Sequence, residues 1–112
     1  MANYLGVSSD VATPASVTFQ GAGSTTLTAM YKITQSLAPA SVAANTTAEQ
    51  TFTVPGLAVG DYVHGNKPTF QAGLGTSGYR VSAANTLAIT YVNATASPIV
   101  PATENYVIFG CR

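Results

Sequence analysis

Along residues 86–92 the side chains alternate: Leu87, Ile89 and Tyr91 point one way, with Thr86, Ala88 and Thr90 filling in around them. A period of two over this length predicts a strand with one buried face, against which the rest of the chain should pack. Residues 27–34 repeat the pattern, with Leu27, Ala29, Tyr31 and Ile33 on one face and Thr28, Met30, Lys32 and Thr34 on the other. Residues 105–111 place Tyr106, Ile108 and Gly110 on one side and Val107 and Phe109 on the other. Apolar groups on both sides predict a strand that is either central or covered by another subunit. Shorter strands are expected at 16–19, 62–64 and 79–81. A weaker one at 40–44 is expected to turn at Asn45-Thr46-Thr47 and run back through 49–54, pairing Val42 with Phe52 as a hairpin.

Between these segments lie Pro55-Gly56, Gly60-Asp61, Gly65-Asn66, Lys67-Pro68, Gly73, Gly75, Gly78 and Asn85. Glycine supplies positive φ and proline presets one turn position, so each cluster bends the chain. Gly21-Ala22-Gly23-Ser24 reads as a flexible break, and Phe70 and Leu74 fall in a Gly-rich loop. Residues 93–101 read as a loop holding Pro98 and Pro101 around Ile99 and Val100. A helix over 41–50 is disfavoured by Asn45-Thr46-Thr47. Seven or eight short strands without a convincing helix predict an all-β, compact antiparallel β-sandwich or jelly-roll-like domain over 21–112. Residues 1–20 have little periodicity, and Pro14 blocks a helix interior. They read as an extended N-terminal arm, or as a frayed terminus; Tyr4, Leu5 and Phe19 favour an arm that docks on something.

The 112 residues suit one domain, which at this size buries about 65% of the surface its unfolded chain exposes. Charged residues make up 7% and hydrophobic ones 46%, with zero net charge, so colloidal repulsion is weak and packing against neighbours is favoured. The four bases, Lys32, Lys67, Arg80 and Arg112, are scattered, which argues against nucleic-acid binding. No apolar run reaches the length of a membrane span, and no secretory signal is read at the start. Cys111, the single cysteine, has no internal disulfide partner and no metal-ligand spacing around it, as expected of a product of a reducing cytosol.

Candidate chemistry is sparse. Gly73-Leu74-Gly75-Thr76-Ser77-Gly78 matches the dinucleotide-binding pattern, which works only between a strand and the N-terminus of a helix. Strand-like Tyr79-Arg80-Val81 follows it, so a loop is expected and no cofactor. Asp61 and His64 invite a triad, but no nucleophile elbow accompanies them. Asp61 suits a turn and His64 a half-exposed strand position. The carboxylates Asp10, Glu49, Asp61 and Glu104 show no glycosidase or calcium spacing. Asn45-Thr46-Thr47 and Asn93-Ala94-Thr95 fit a glycosylation pattern that is uninformative without secretion. Six tyrosines and no tryptophan hint at a sugar-binding surface, although Tyr31, Tyr91 and Tyr106 occupy alternating strand positions suited to core edges or interfaces. Neither catalytic nor metal-ligating residues are assigned.

Residues 51–108 resemble a group of small structural proteins of tailed bacteriophages, of the head decoration or cement type. The resemblance lies in Phe52-Thr53-Val54-Pro55-Gly56-Leu57, Val59-Gly60-Asp61, Asn66-Lys67-Pro68, Ala72-Gly73-Leu74-Gly75, Arg80-Val81-Ser82-Ala83-Ala84-Asn85-Thr86-Leu87, Asn93 and Thr103-Glu104-Asn105-Tyr106. It covers about half the chain and implies a β-rich, oligomeric virion component without an active site. The expectation is a capsid decoration protein, a homotrimer on the major capsid protein at the capsid surface, made in the bacterial host cytoplasm. Tyr4, Leu5, Val7 and Phe19 would face the capsid. The alternative is a receptor- or glycan-binding module of a phage tail fibre or spike.

Overall fold

A computed structural model describes residues 16–18 and 21–112. The expected arm residues Tyr4, Leu5, Val7 and Phe19 lie outside the described residues. Eight strands follow in chain order: β1 (Val17–Thr18), β2 (Thr26–Leu27), β3 (Met30–Leu37), β4 (Thr46–Thr53), β5 (Tyr62–Asn66), β6 (Leu74–Ala83), β7 (Thr86–Asn93) and β8 (Glu104–Cys111). There is no helix among the described residues. Two antiparallel three-stranded sheets result, ordered β3-β8-β5 and β4-β7-β6, with β1 and β2 as a separate pair. The supposed break at 21–24 is the turn of that pair, closed by Ser24 N–H donating to the Gly21 carbonyl at 3.2 Å.

The sheets pack face to face because each strand alternates. Tyr31, Ile33 and Leu37 of β3, Val63 of β5 and Tyr106 and Ile108 of β8 meet Leu87, Ile89 and Tyr91 of β7 with Phe52, Tyr79 and Val81 from its neighbours. At the middle the buried Tyr91 and Tyr106 hydroxyls bond across the layers at 2.9 Å. Burial, first of all, pushes both phenols above their ordinary range, so they stay protonated. Of the three alternating strands read from the sequence, β7 and β8 are the two sheet centres, whereas the 27–34 segment supplies the edge strand β3.

Two glycines on inward positions are covered by aromatic rings. The Tyr79 ring occupies the space where a Gly65 side chain would lie, and the Tyr31 ring does the same over Gly110. Strand β6 and strand β7 join through the two-residue turn Ala84-Asn85, with Asn85 at φ 57°. That left-handed conformation is one that asparagine tolerates.

Three local expectations are corrected. The Val42–Phe52 hairpin does not form: β4 pairs with β7, putting Phe52 opposite Leu87. Residues 38–45 instead cross between the layers, since β3 and β4 belong to different sheets. The expected strand at 40–44 reduces to one bridge, in which Val42 exchanges backbone hydrogen bonds of 2.8 and 3.0 Å with Ile99. Leu74 is not in a loop but opens β6, which runs through Gly75 and Gly78 because an irregularity between Thr76 and Gly78 absorbs one residue.

Candidate interaction surface

β8 is bonded on both sides, so its outward side chains form the middle of an exposed face. Register sets three cross-strand rows there: Met30–Cys111–Tyr62, Lys32–Phe109–His64 and Thr34–Val107–Asn66. Met30, Tyr62 and Phe109 are 60, 70 and 46% exposed, although each is large and apolar or aromatic. Val107 and Cys111 are half-buried between them. Isolated exposed apolar residues are ordinary, but adjacent ones on neighbouring strands form a patch of the kind that marks interaction sites.

The outer face of the β4-β7-β6 sheet is different. Its rows are Thr47–Val92–Gly75, Glu49–Thr90–Gly78 and Thr51–Ala88–Arg80. Arg80 donates twice to Glu49 at 2.7 and 2.6 Å, crossing the central strand beside the small Ala88. Arg80 holds the Glu49 carboxyl below its usual range. The face is polar and its charge is satisfied internally.

Asp61 is the most strongly held charge. Its carboxylate accepts from Arg112 Nε at 2.7 Å and Nη2 at 3.0 Å, from the Tyr31 hydroxyl at 2.7 Å and from Ala58 N–H at 3.0 Å. Arg112 also donates to the Gly56 carbonyl at 2.8 Å. These bonds, the Arg112 ones foremost, pull Asp61 down to about 2 against the opposing effect of burial. Tyr31 moves up, through burial and then its bond to that carboxylate. The cluster ties the 54–61 loop to the end of β8; its acceptor atoms are all engaged.

His64, by contrast, is exposed on the outer face of β5 and sits edge-on to Tyr79 at 5.4 Å. No hydrogen bond or ion pair joins it to Asp61 among the described residues. At the opposite end of the sandwich, Lys67 and Glu104 form an ion pair of 3.0 Å with both side chains largely buried. The Thr69 hydroxyl, then Lys67, hold the Glu104 carboxyl below its ordinary range. Thus each described carboxylate has a basic partner, and Lys32, on the apolar face, is the base without one among the described residues.

The other sequence motifs resolve as structure. Gly73 to Gly78 runs into β6, with no helix after it. Asn93 is buried, its amide donating to the Val42 and Ser97 carbonyls and accepting from Thr95, so its second sequon is locked in the fold. Among the described residues no group of three or more His, Cys, Asp or Glu is placed to hold a metal. Tyr62 is the one strongly exposed tyrosine of those described.

The exposed apolar residues were partly legible. Met30 and Phe109 lie on the faces that alternation assigned them, opposite Tyr31 and Ile108. Phe70 and Val100 carried no periodic signal, because they stand in loops. No helix among the described residues is long and apolar enough to cross a membrane. No family model, curated protein or solved structure matches this chain.

Proposed function

We propose that the chain is a virion structural protein of a tailed bacteriophage, a decoration protein that stabilises the head by bridging major capsid subunits. The observation that carries this reading is the outer face of β3-β8-β5, where Met30, Tyr62 and Phe109 stand exposed on adjacent strands. Such a face suits a mechanical role. Contacts that exist only in the assembled shell stabilise that shell by mass action, without chemistry. The apolar centre supplies contact area, and Lys32, without an ion-pair partner among the described residues, supplies orientation toward a capsid carboxylate. Residues Tyr4, Leu5, Val7 and Phe19 are proposed as a second contact, and a homotrimer as the bound form.

The test is quantitative mass spectrometry of purified particles. About one copy per major capsid subunit supports the head reading, and Phe109→Asp should then lower occupancy at unchanged thermal stability of the free protein. A handful of copies per particle would overturn it in favour of a tail fibre or spike module.

A further inference from the structure

The outer edge of β3 is open. Arg112 N–H donates to the Ala29 carbonyl at 3.0 Å and Ala29 N–H donates back to the Arg112 carbonyl at 3.1 Å, which fixes the phase of the β3–β8 ladder. Backbone groups alternate in direction along a strand. Those of Tyr31, Ile33 and Gln35 therefore turn to β8, and those of Lys32, Thr34 and Ser36 turn away from it. β3 is an edge strand, and among the described residues nothing bonds to the second set. The side chains of that set are exposed, and Ile33 on the inner side is only half-buried. An edge of eight residues is a template for one more strand.

We propose that residues 8–14 of the same chain are that strand, antiparallel to β3. They lie outside the described residues, and direction, pattern and charge together select them. β1 runs antiparallel to β2, with Val17 opposite Leu27 and Thr18 opposite Thr26, and only Thr28 and Ala29 separate β2 from β3. The chain ahead of Ser16 therefore leaves β1 along the course of β3, whose other side β8 already fills. Extended past Ser16, the same register sets Val11 opposite Ile33 on the inner side, with Asp10 opposite Thr34 and Ala12 opposite Lys32 on the outer side. Pro14 falls opposite Met30 at the end of the pairing, where a single missing donor is tolerated. Glu49, Asp61 and Glu104 have basic partners among the described residues and Lys32 has none there; the remaining carboxylate of the sequence is Asp10. This register places Asp10 one diagonal step from Lys32, within reach of a long side chain. An ammonium has three donors, so Lys32 keeps others for an outside carboxylate. Direct tethering gives an effective concentration on the order of millimolar, which favours the chain's own segment over that of a second copy. Tyr4, Leu5 and Val7 fall beyond the strand, and the inference stands independently of the capsid reading.

Nuclear magnetic resonance of the full chain tests it. The amides of Lys32 and Thr34 should exchange with solvent at least about tenfold more slowly than in an unstructured peptide. Val11 and Ile33 should show the close Hα–Hα contact of a non-hydrogen-bonded antiparallel pair. Ala12→Pro removes the donor that faces the Lys32 carbonyl, so it should return the Lys32 and Thr34 amides to free exchange. Tyr31 and Ile33, bonded to β8, should stay protected in that variant. Asp10→Lys should speed exchange of the same two amides, and adding Lys32→Asp should slow it again. Freely exchanging Lys32 and Thr34 amides in the wild type, or protection unchanged by Ala12→Pro, would overturn the proposal. So would a Val11–Ile33 contact seen only between differently labelled copies, which would assign the strand to a second chain.

Discussion

Asp61→Asn isolates the contribution of one carboxylate to acid stability. Asp61 falls from an ordinary 3.8 to about 2 in the folded chain. At about 1.4 kcal/mol per tenfold change in proton affinity, this corresponds to about 2 kcal/mol as an upper bound. Its main partner, Arg112, is 37% exposed, so solvent screening reduces the expected value to about 1 kcal/mol. The sign follows from the lowered folded value. The stabilisation is fully present above about pH 4, where the unfolded carboxyl is already ionised, and is lost as pH falls toward about 2. Urea unfolding of both proteins between about pH 7 and pH 2 reads the effect. Asp61→Asn should be less stable at neutral pH, and the gap should close across that acid window. Glu49 and Glu104 also have lowered values, and they impose the same acid slope on both proteins. Parallel curves, with a constant gap down to about pH 2, would refute the assignment of this stabilisation to Asp61 ionisation.

Two further outcomes concern the core. Tyr91→Phe removes one of two buried hydroxyls that bond at 2.9 Å and leaves the Tyr106 hydroxyl without that partner, at a cost of about 1–3 kcal/mol. Tyr91→Phe with Tyr106→Phe should cost less than the two single changes added together, as read by urea midpoints. Gly110→Ala would place a methyl group 2.5 Å from the Tyr31 ring and hydroxyl, which must swing away from Asp61. The expected loss is about 1–3 kcal/mol, shrinking when Tyr31→Ala is introduced first; an undiminished loss would contradict the clash.

Strand positions and inner faces were legible because a period of two is a local property. Leu87, Ile89 and Tyr91 turn inward as their alternation requires, and so do Tyr31 and Ile33. Partner choice was not legible. Nothing local in Val42 indicates Ile99 rather than Phe52; what decides is that β3 and β4 lie in different layers. The Gly-rich stretch beginning at Gly73 reads as loop by composition, yet Gly75 and Gly78 sit within β6 on its outer face. The Asp61–Arg112 clamp joins residues 51 positions apart and depends on β8 running beside β5. The apolar face was visible in outline, from Met30 and Phe109 opposing the inward sets of their strands. Its full extent required knowing that Tyr62, Phe109 and Met30 stand on neighbouring strands.

The strand order has a consequence for how the two layers come into being. β4, β6 and β7 all lie between residues 46 and 93, and the β6–β7 pair closes through a two-residue turn. One layer can therefore assemble from a continuous stretch, beginning with a contact of low loop-closure entropy. The other layer has as its centre β8, the latest strand in chain order, with Met30 opposite Cys111. Until β8 arrives, β3 and β5 have no common neighbour, and the inner face of the first layer waits uncovered. Folding is expected to be slow and sequential, with that waiting face the point at which chaperones or aggregation compete.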